Sequence, residues 1–298
     1  MIKSNYYKGQ IQIWIASLLI ATSFPVGEFV ANDLDPGILN LLRFITAVIV
    51  FTPFIIWKYN TQFLPSVKKI LSYSLISFCL TGFFWFMFES LKYTTALNTG
   101  TLFVLIPGIA AIFSFFLLNE KLGSAKLLAL LFGFIGALWV VFKGDINSLL
   151  EMKFNIADLI FLCGCFLMAF YAPLVKKIHT GEPAAIISYW TLITGCFWLL
   201  LFSNFKLFNV EWSSIPATTF IFIIYLAVFT TILSTLFFQS AAINLGGNKV
   251  AAYTYLNPSL VVIINWSVGK GLPPLQVLPG VLIVLLATLV LQRSDFEN

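Results

Sequence analysis

Ten apolar stretches, each long enough to cross a bilayer, occupy almost the whole of this 298-residue chain. A spanning helix needs about 20 predominantly apolar residues. The stretches are Ile11–Ala31, Gly37–Trp57, Ile70–Leu91, Ala96–Leu118, Ala125–Phe142, Ile156–Val175, Ala184–Phe202, Pro216–Ile243, Val250–Val268 and Leu275–Leu291. Charged residues make up 10% of the chain and mean hydropathy is +0.96, whereas soluble domains carry roughly 25% charged residues. The expected fold is therefore an all-α membrane protein with ten transmembrane helices. Little chain is left for a soluble domain, so the bundle itself must carry the function.

Prolines recur at matching places in the two halves. Pro25 pairs with Pro173, Pro36 with Pro183 and Pro107 with Pro258, at offsets of 148, 147 and 151 residues. The expected units are residues 1–147 and 148–298, joined by the loop from Lys143 to Asn155. Five helices per unit is an odd number, so the second unit enters the membrane from the opposite side and the repeats are inverted. Pro25, Pro107, Pro173 and Pro258 are read as helix breaks, because each removes one backbone donor and frees a carbonyl. Lipid cannot repair that defect, but a cavity or a neighbouring helix can. Interrupted helices at matching places in inverted repeats are a signature of secondary transporters with the site at the repeat interface.

The basic residues set an orientation. With the N-terminus inside, eleven lie in cytoplasmic segments (Lys3, Lys8, Lys58, Lys68, Lys69, Lys121, Lys126, Lys176, Lys177, Lys249 and Arg293) and five in the opposite loops (Lys92, Lys143, Lys153, Lys206 and Lys270). Both termini are then cytoplasmic, in a multi-pass protein of the inner (plasma) membrane. The first apolar run is too long for a signal-peptide core, contains Glu28 and lacks a small-residue cleavage site. Basic residues flank the membrane rather than forming one patch, so no nucleic-acid partner is expected. Cys79, Cys163, Cys165 and Cys196 lie inside apolar stretches without metal-ligand spacing, and read as small apolar fillers. Neither metal nor cofactor is expected. Gly133-x-x-x-Ala137, Ala96-x-x-x-Gly100 and Ala242-x-x-x-Gly246 read as ordinary helix-packing seams.

Several short motifs follow one another in a recognisable order. Ser23-Phe24-Pro25-Val26 lies in the first stretch, and Pro36 precedes Leu42-Arg43-Phe44 in the second. Ser90-Leu91-Lys92-Tyr93-Thr94 leads through Ala96 to Pro107, and Asn119-Glu120-Lys121 closes the fourth stretch. Ala157-Asp158-Leu159 opens the sixth, and Asn257-Pro258 marks the ninth. In this order and spacing the chain resembles the drug/metabolite transporter superfamily, specifically its EamA branch of ten-helix carriers. It departs from that pattern at Ile20-Ala21, where Trp-Gly is frequent, and at Gly269-Lys270-Gly271, where an acidic residue is expected. The resemblance implies transport of small organic solutes, often amino acids or related metabolites, without nucleotide hydrolysis. It also implies a central cavity lined by helices one, three, four, six, eight and nine. The polar and aromatic candidates for substrate binding there are Trp85, Asn98, Tyr171, Gln239, Tyr253, Tyr255 and Asn257.

Arg43 is one of two arginines and lies about two turns, roughly 10 Å, inside the second stretch. A charge at that depth costs roughly 2.5–3.5 kcal/mol and must be paired or wet. Glu28 is its expected partner, on the view that helices one and two are antiparallel neighbours. A structural clamp and a direct part in binding or gating both remain open for this pair. Glu89 either faces the same vestibule or pairs locally with Lys92 at i,i+3 spacing. Asp158 and Glu120 sit at helix ends and read as interfacial, and the lone His179 as a solvated loop residue. Trp190 occupies the repeat position of Arg43, so the halves are chemically unequal there.

The leading functional expectation is a secondary carrier exporting amino acids or similar metabolites by alternating access. The partners are the lipid bilayer and a small-molecule substrate, proton coupling is one candidate driving force, and the assembly is a monomer or weak dimer. A second transport reading is uptake or exchange of a cationic, nucleoside-like metabolite such as S-adenosylmethionine, drawn by Glu28 and Glu89 beside aromatic rings. An intramembrane enzyme fits badly, since the chain has no HExxH, GxSxG or Walker A motif and a single histidine.

Overall fold

The computed structural model describes residues 2–30, 33–60, 64–91, 93–94, 96–120, 123–153, 155–204, 206–269 and 274–293. The described elements are helical, with no strand among them. In chain order the helices are α1 (Ile2–Val30), α2 (Pro36–Tyr59), α3 (Val67–Leu91), α4 (Ala96–Phe103), α5 (Ile106–Leu118), α6 (Ser124–Val141) and α7 (Ile146–Leu150). They continue with α8 (Ile156–Ile178), α9 (Ala184–Phe202), α10 (Ala217–Ala227), α11 (Ser234–Leu245), α12 (Gly247–Ala252), α13 (Leu256–Ser267) and α14 (Leu278–Arg293). Among the described residues eight helical runs are long and apolar enough to cross a membrane. One of them crosses the α4–α5 junction, and another carries α10 directly into α11.

The exterior is apolar, as a lipid-facing surface must be. Trp57 is 81% exposed and Phe116 72%, while the interior collects small residues and hydroxyls such as Ala16, Ala47, Ser77, Thr81 and Ser188. Close approach depends on those small residues. A Cβ added to Gly280 of α14 would lie 2.8 Å from the Gly136 carbonyl of α6, so these two helices meet almost backbone to backbone. The other main pairings are α3 with α8 and α9, α5 with α8, α1 with α11 and α13, and α2 with α9 and α10.

The prolines act in two different ways. Pro107 and Pro258 each stand just inside a helix that restarts after an interruption. The α4–α5 junction is a turn at Val104–Leu105, and a 3₁₀ turn at Tyr253–Tyr255 separates α12 from α13. Pro25 and Pro173 do not break their helices, contrary to the sequence expectation: α1 and α8 run unbroken through them. A proline removes a single ladder bond, and side-chain hydroxyls and close packing support the rest. Thr22 and Ser23 donate back to the Leu19 and Ile20 carbonyls at 2.7 and 2.6 Å. Pro173 is backed by Gly247, whose added Cβ would sit 2.6 Å from the proline nitrogen.

An interruption that no proline marks lies between α10 and α11. Residues Val228–Leu233 form a π turn, in which the chain accommodates an extra residue. Both Thr230 Oγ1 and Thr231 Oγ1 donate to the Leu226 carbonyl at 2.9 Å, and Ser234 Oγ donates to the Thr230 carbonyl at 2.6 Å. Such hydroxyl back-bonds compete with the regular ladder and bend it.

Candidate functional site

Arg43 projects from about two turns inside α2 onto this π turn. Its Nε donates to Thr231 Oγ1, and its Nη2 donates to the Thr230 carbonyl at 2.8 Å and to Thr230 Oγ1 at 2.9 Å. The guanidinium carbon lies 5.3 Å from the centre of the Phe84 ring on α3, within cation–π range. The residue is only 6% exposed. The π turn displaces carbonyls from the helix ladder, and that is what lets a buried cation find acceptors in an apolar bundle. The expected neighbour was α1. Instead α2 packs on α9 and α10, and the acceptors that Arg43 uses are on the α10–α11 helix. The Glu28 side chain lies outside the described residues.

A cavity of about 240 Å³ opens at the end of the bundle where α2 begins and α3 and α9 finish. Asp35 and Asn40 contribute from the start of α2, Trp85 and Glu89 from α3, Phe202 from the end of α9, and Lys206 from the 3₁₀ turn beyond it. Lys206 Nζ and Asp35 Oδ2 are 3.3 Å apart, and the other Asp35 oxygen caps α2 by accepting from Gly37 N at 2.9 Å. The Trp85 and Phe202 rings lie 5.6 Å apart and form an aromatic wall. Asn40 and Arg43 are three residues apart on one helix, so the arginine lies about one turn below the cavity lining.

The model of the EamA-like transporter family matches this chain twice, over residues 7–142 and 155–292. The chain belongs to the EamA-like transporter family. This EamA-like transporter is 26% identical over 271 residues to the uncharacterized transporter YyaM of Bacillus subtilis (strain 168), covering 90% of this chain and 88% of that protein. It is 29% identical over 192 residues to the riboflavin transporter of Brucella anthropi, covering 60% of this chain and 61% of that protein. A crystal structure at 14% identity superposes with a TM-score of 0.77, covering 99% of each chain, a likeness of fold.

The opposite end of the EamA-like transporter is closed by polar contacts between helix termini. Gln10 donates to Gln292 Oε1 at 2.6 Å, Tyr253 donates to Gln10, and Tyr6 donates to the Gln292 carbonyl at 2.8 Å. Lys249 Nζ reaches the same carbonyl at 3.2 Å, tying α1, α12 and α14 together. Nearby, Glu182 accepts from Tyr73 Oη at 3.0 Å and Thr180 Oγ1 at 2.9 Å, and pairs with Lys69 at 3.2 Å. Burial pushes the Glu182 carboxyl up, but bonds from its own N–H, from Thr180 and from Lys69 outweigh this and hold it at about 2. His179 is half-buried as the C-cap of α8, not solvated as the sequence suggested. Burial, with smaller contributions from Lys176 and Lys69, lowers its pKa despite the nearby Glu182 carboxylate.

The residues proposed from sequence for one cavity fall into several places. Trp85 and Glu89 line the cavity beside Asn40. Tyr171 and Gln239 belong to a buried polar cluster in which Gln239 donates to Tyr171 at 3.0 Å and accepts from Ser188 at 2.7 Å. Asn98 donates to Asp158 Oδ2 at 2.9 Å, and Asp158 completes a capping box with Asn155 at the start of α8. Tyr253 belongs to the closed end. Tyr255 donates to the Leu130 carbonyl at 3.0 Å and packs on Gly133, and Asn257 is buried in α13. Sequence reasoning missed Asp35, Asn40, Lys206, Thr230 and Thr231. A Thr-Thr pair inside an apolar run is a weak but readable trace of the last two. Among the described residues no cluster of His, Cys, Asp and Glu is arranged to hold a metal ion.

Proposed function

We propose that this membrane transporter is a secondary carrier of small organic solutes, amino acids or related metabolites, working by alternating access. The observation that carries this reading is the buried Arg43, held on a π turn one turn below a cavity lined by both signs of charge and an aromatic wall. At about 240 Å³ the cavity is smaller than the roughly 300–1,000 Å³ of sites for drug-sized ligands, which favours amino-acid-sized solutes over riboflavin or S-adenosylmethionine. The bias of basic residues supports an orientation with the cavity end outside and the closed end in the cytoplasm.

Two inverted five-helix repeats, ten spans in all, are the architecture we infer. Exchanging the halves turns the α3–α8 contact into α11–α1, α5–α8 into α13–α1, and α3–α9 into α10–α2. It leaves α2–α9 and α6–α14 unchanged. Interruptions before Pro107 and Pro258 fall at matching places in the two units, and α1 and the α12–α13 run supply the further two spans. Units related in this way can expose a shared site to either side at similar packing energy.

The test is flux into proteoliposomes over a panel of amino acids, nucleosides, S-adenosylmethionine and riboflavin, with and without a pH gradient. Saturable flux of at least one amino-acid-sized solute is expected, reduced at least about tenfold by Arg43→Ala. Efflux from loaded vesicles tests the export direction of the leading reading. Wild-type vesicles no leakier than empty ones would sink the reading. If only cationic solutes cross, and Glu28→Gln with Glu89→Gln abolishes that flux, the cationic alternative holds instead.

A further inference from the structure

We propose that Arg43 anchors a carboxylate of the transported solute, making this site selective for small organic carboxylates. The proposal rests on the carrier reading above and goes further by naming the charge the site recognises. Nε and Nη2 are spent on the two threonines of the π turn. Nη1 carries two further N–H donors, and these make no hydrogen bond to any described residue. Nor does any carboxylate among the described residues pair with Arg43. Three hydroxyl or carbonyl contacts and one aromatic ring solvate the cation without neutralising it.

Position supplies the second half of the argument. Asn40 lines the cavity, and Arg43 lies three residues further along the same helix, about 4.5 Å deeper. Phe84, the ring packed on the guanidinium, is the chain neighbour of Trp85 in the cavity wall. A solute in the cavity would meet Glu89 and Asp35 in its lining, lay its apolar body on Trp85 and Phe202, and bring an anionic group toward Nη1. The threonines fix the plane of the fork, so little side-chain freedom is lost when the carboxylate arrives. For a zwitterion this sets the order of the charges, carboxylate deep and ammonium toward the two carboxylates.

The experiment uses purified full-length protein, in proteoliposomes for uptake and in detergent for ligand-induced thermal shift. Labelled L-leucine and L-phenylalanine are competed with themselves, with leucinamide and phenylalaninamide, and with 3-phenylpropionate, which keeps the carboxylate but lacks the amine. In the wild type the acids should compete at least about tenfold better than the amides, because an amide leaves the buried cation unpaired. 3-Phenylpropionate should compete better than phenylalaninamide. In Arg43→Gln the acid-to-amide ratio should fall toward parity, and Arg43→Lys should retain part of it. Equal potency of acid and amide in the wild type, a comparison that needs no variant to fold, overturns the proposal. So does a ratio that survives Arg43→Gln. Uptake of solutes without a carboxylate preference overturns this proposal alone, whereas no uptake of any panel solute overturns the carrier reading with it.

Discussion

At the scale of single residues, what decides the behaviour of Arg43 is the set of acceptors around it. Thr231→Val keeps the shape but removes the Nε acceptor, and a lost hydrogen bond to a charged group costs about 1.5–3 kcal/mol. Thr52→Val is the internal comparison. It removes a neutral contact to Tyr189 Oη at 2.9 Å, and should cost about 0.5–1.5 kcal/mol. Thermal unfolding of both variants in one detergent checks the ranking, which fails if Thr52→Val is the more damaging. Glu182 supplies a pH dependence. Its folded value of about 2 lies below the ordinary 4.5, so the stability it contributes is complete above about pH 4.5 and drains away as pH falls toward 2. The melting-temperature gap between wild type and Glu182→Gln should therefore be constant above pH 4.5 and close below it. A gap that grows on acidification would contradict the hydrogen bonds assigned to that carboxylate.

Among the elements, glycines and prolines fix how closely helices approach. Gly247→Ala would drive a methyl group into the Pro173 backbone at 2.6 Å, and overpacking of this kind costs about 1–3 kcal/mol. Gly108→Ala, in α5 with nothing within 4 Å of the added atom, should instead stabilise by about 0.5–1 kcal/mol through helix propensity. Denaturation of the pair in parallel tests both signs. The same contrast separates what could be read in the sequence from what could not. Apolar run length located eight helical runs long enough to span among the described residues, and Pro107 and Pro258 stand just after two interruptions, since a missing backbone donor is a local fact. Pro25 and Pro173 look identical in sequence to the helix-breaking pair but leave their helices whole, and at Pro173 the bare backbone of Gly247 packed on it is a tertiary fact. The π turn carries no breaker residue at all. For the site, Arg43, Trp85 and Glu89 stood out as unusual groups in apolar runs. The other polar candidates scattered because polarity in a helix does not say which neighbour it faces: Gln239 meets Tyr171 and Ser188, and Asn98 meets Asp158.

For the whole molecule, the expectation from alternating access is that the two ends cannot stay fastened together. Asp35→Cys with Lys206→Cys puts a thiol pair at the cavity lining, and Lys69→Cys with Glu182→Cys puts one at the other end. With the exposed Cys163 first changed to serine, a short cleavable bis-maleimide link at either pair should bring flux down to the level of empty vesicles, and cleavage should restore it. Undiminished flux through a linked protein would rule out motion at that end. In the proposed inverted-repeat architecture the halves differ at one position that matters chemically. Arg43 in α2 has Trp190 in α9 as its counterpart 147 residues on. Two separate identical subunits would have carried either a pair of buried guanidinium groups or neither. If the two halves are inverted repeats as proposed, joining them in one polypeptide puts the Arg43 guanidinium on one side of the pseudo-dyad, so the insertion penalty of roughly 2.5–3.5 kcal/mol at that pair of positions is incurred once and the partner position is free to be an uncharged ring.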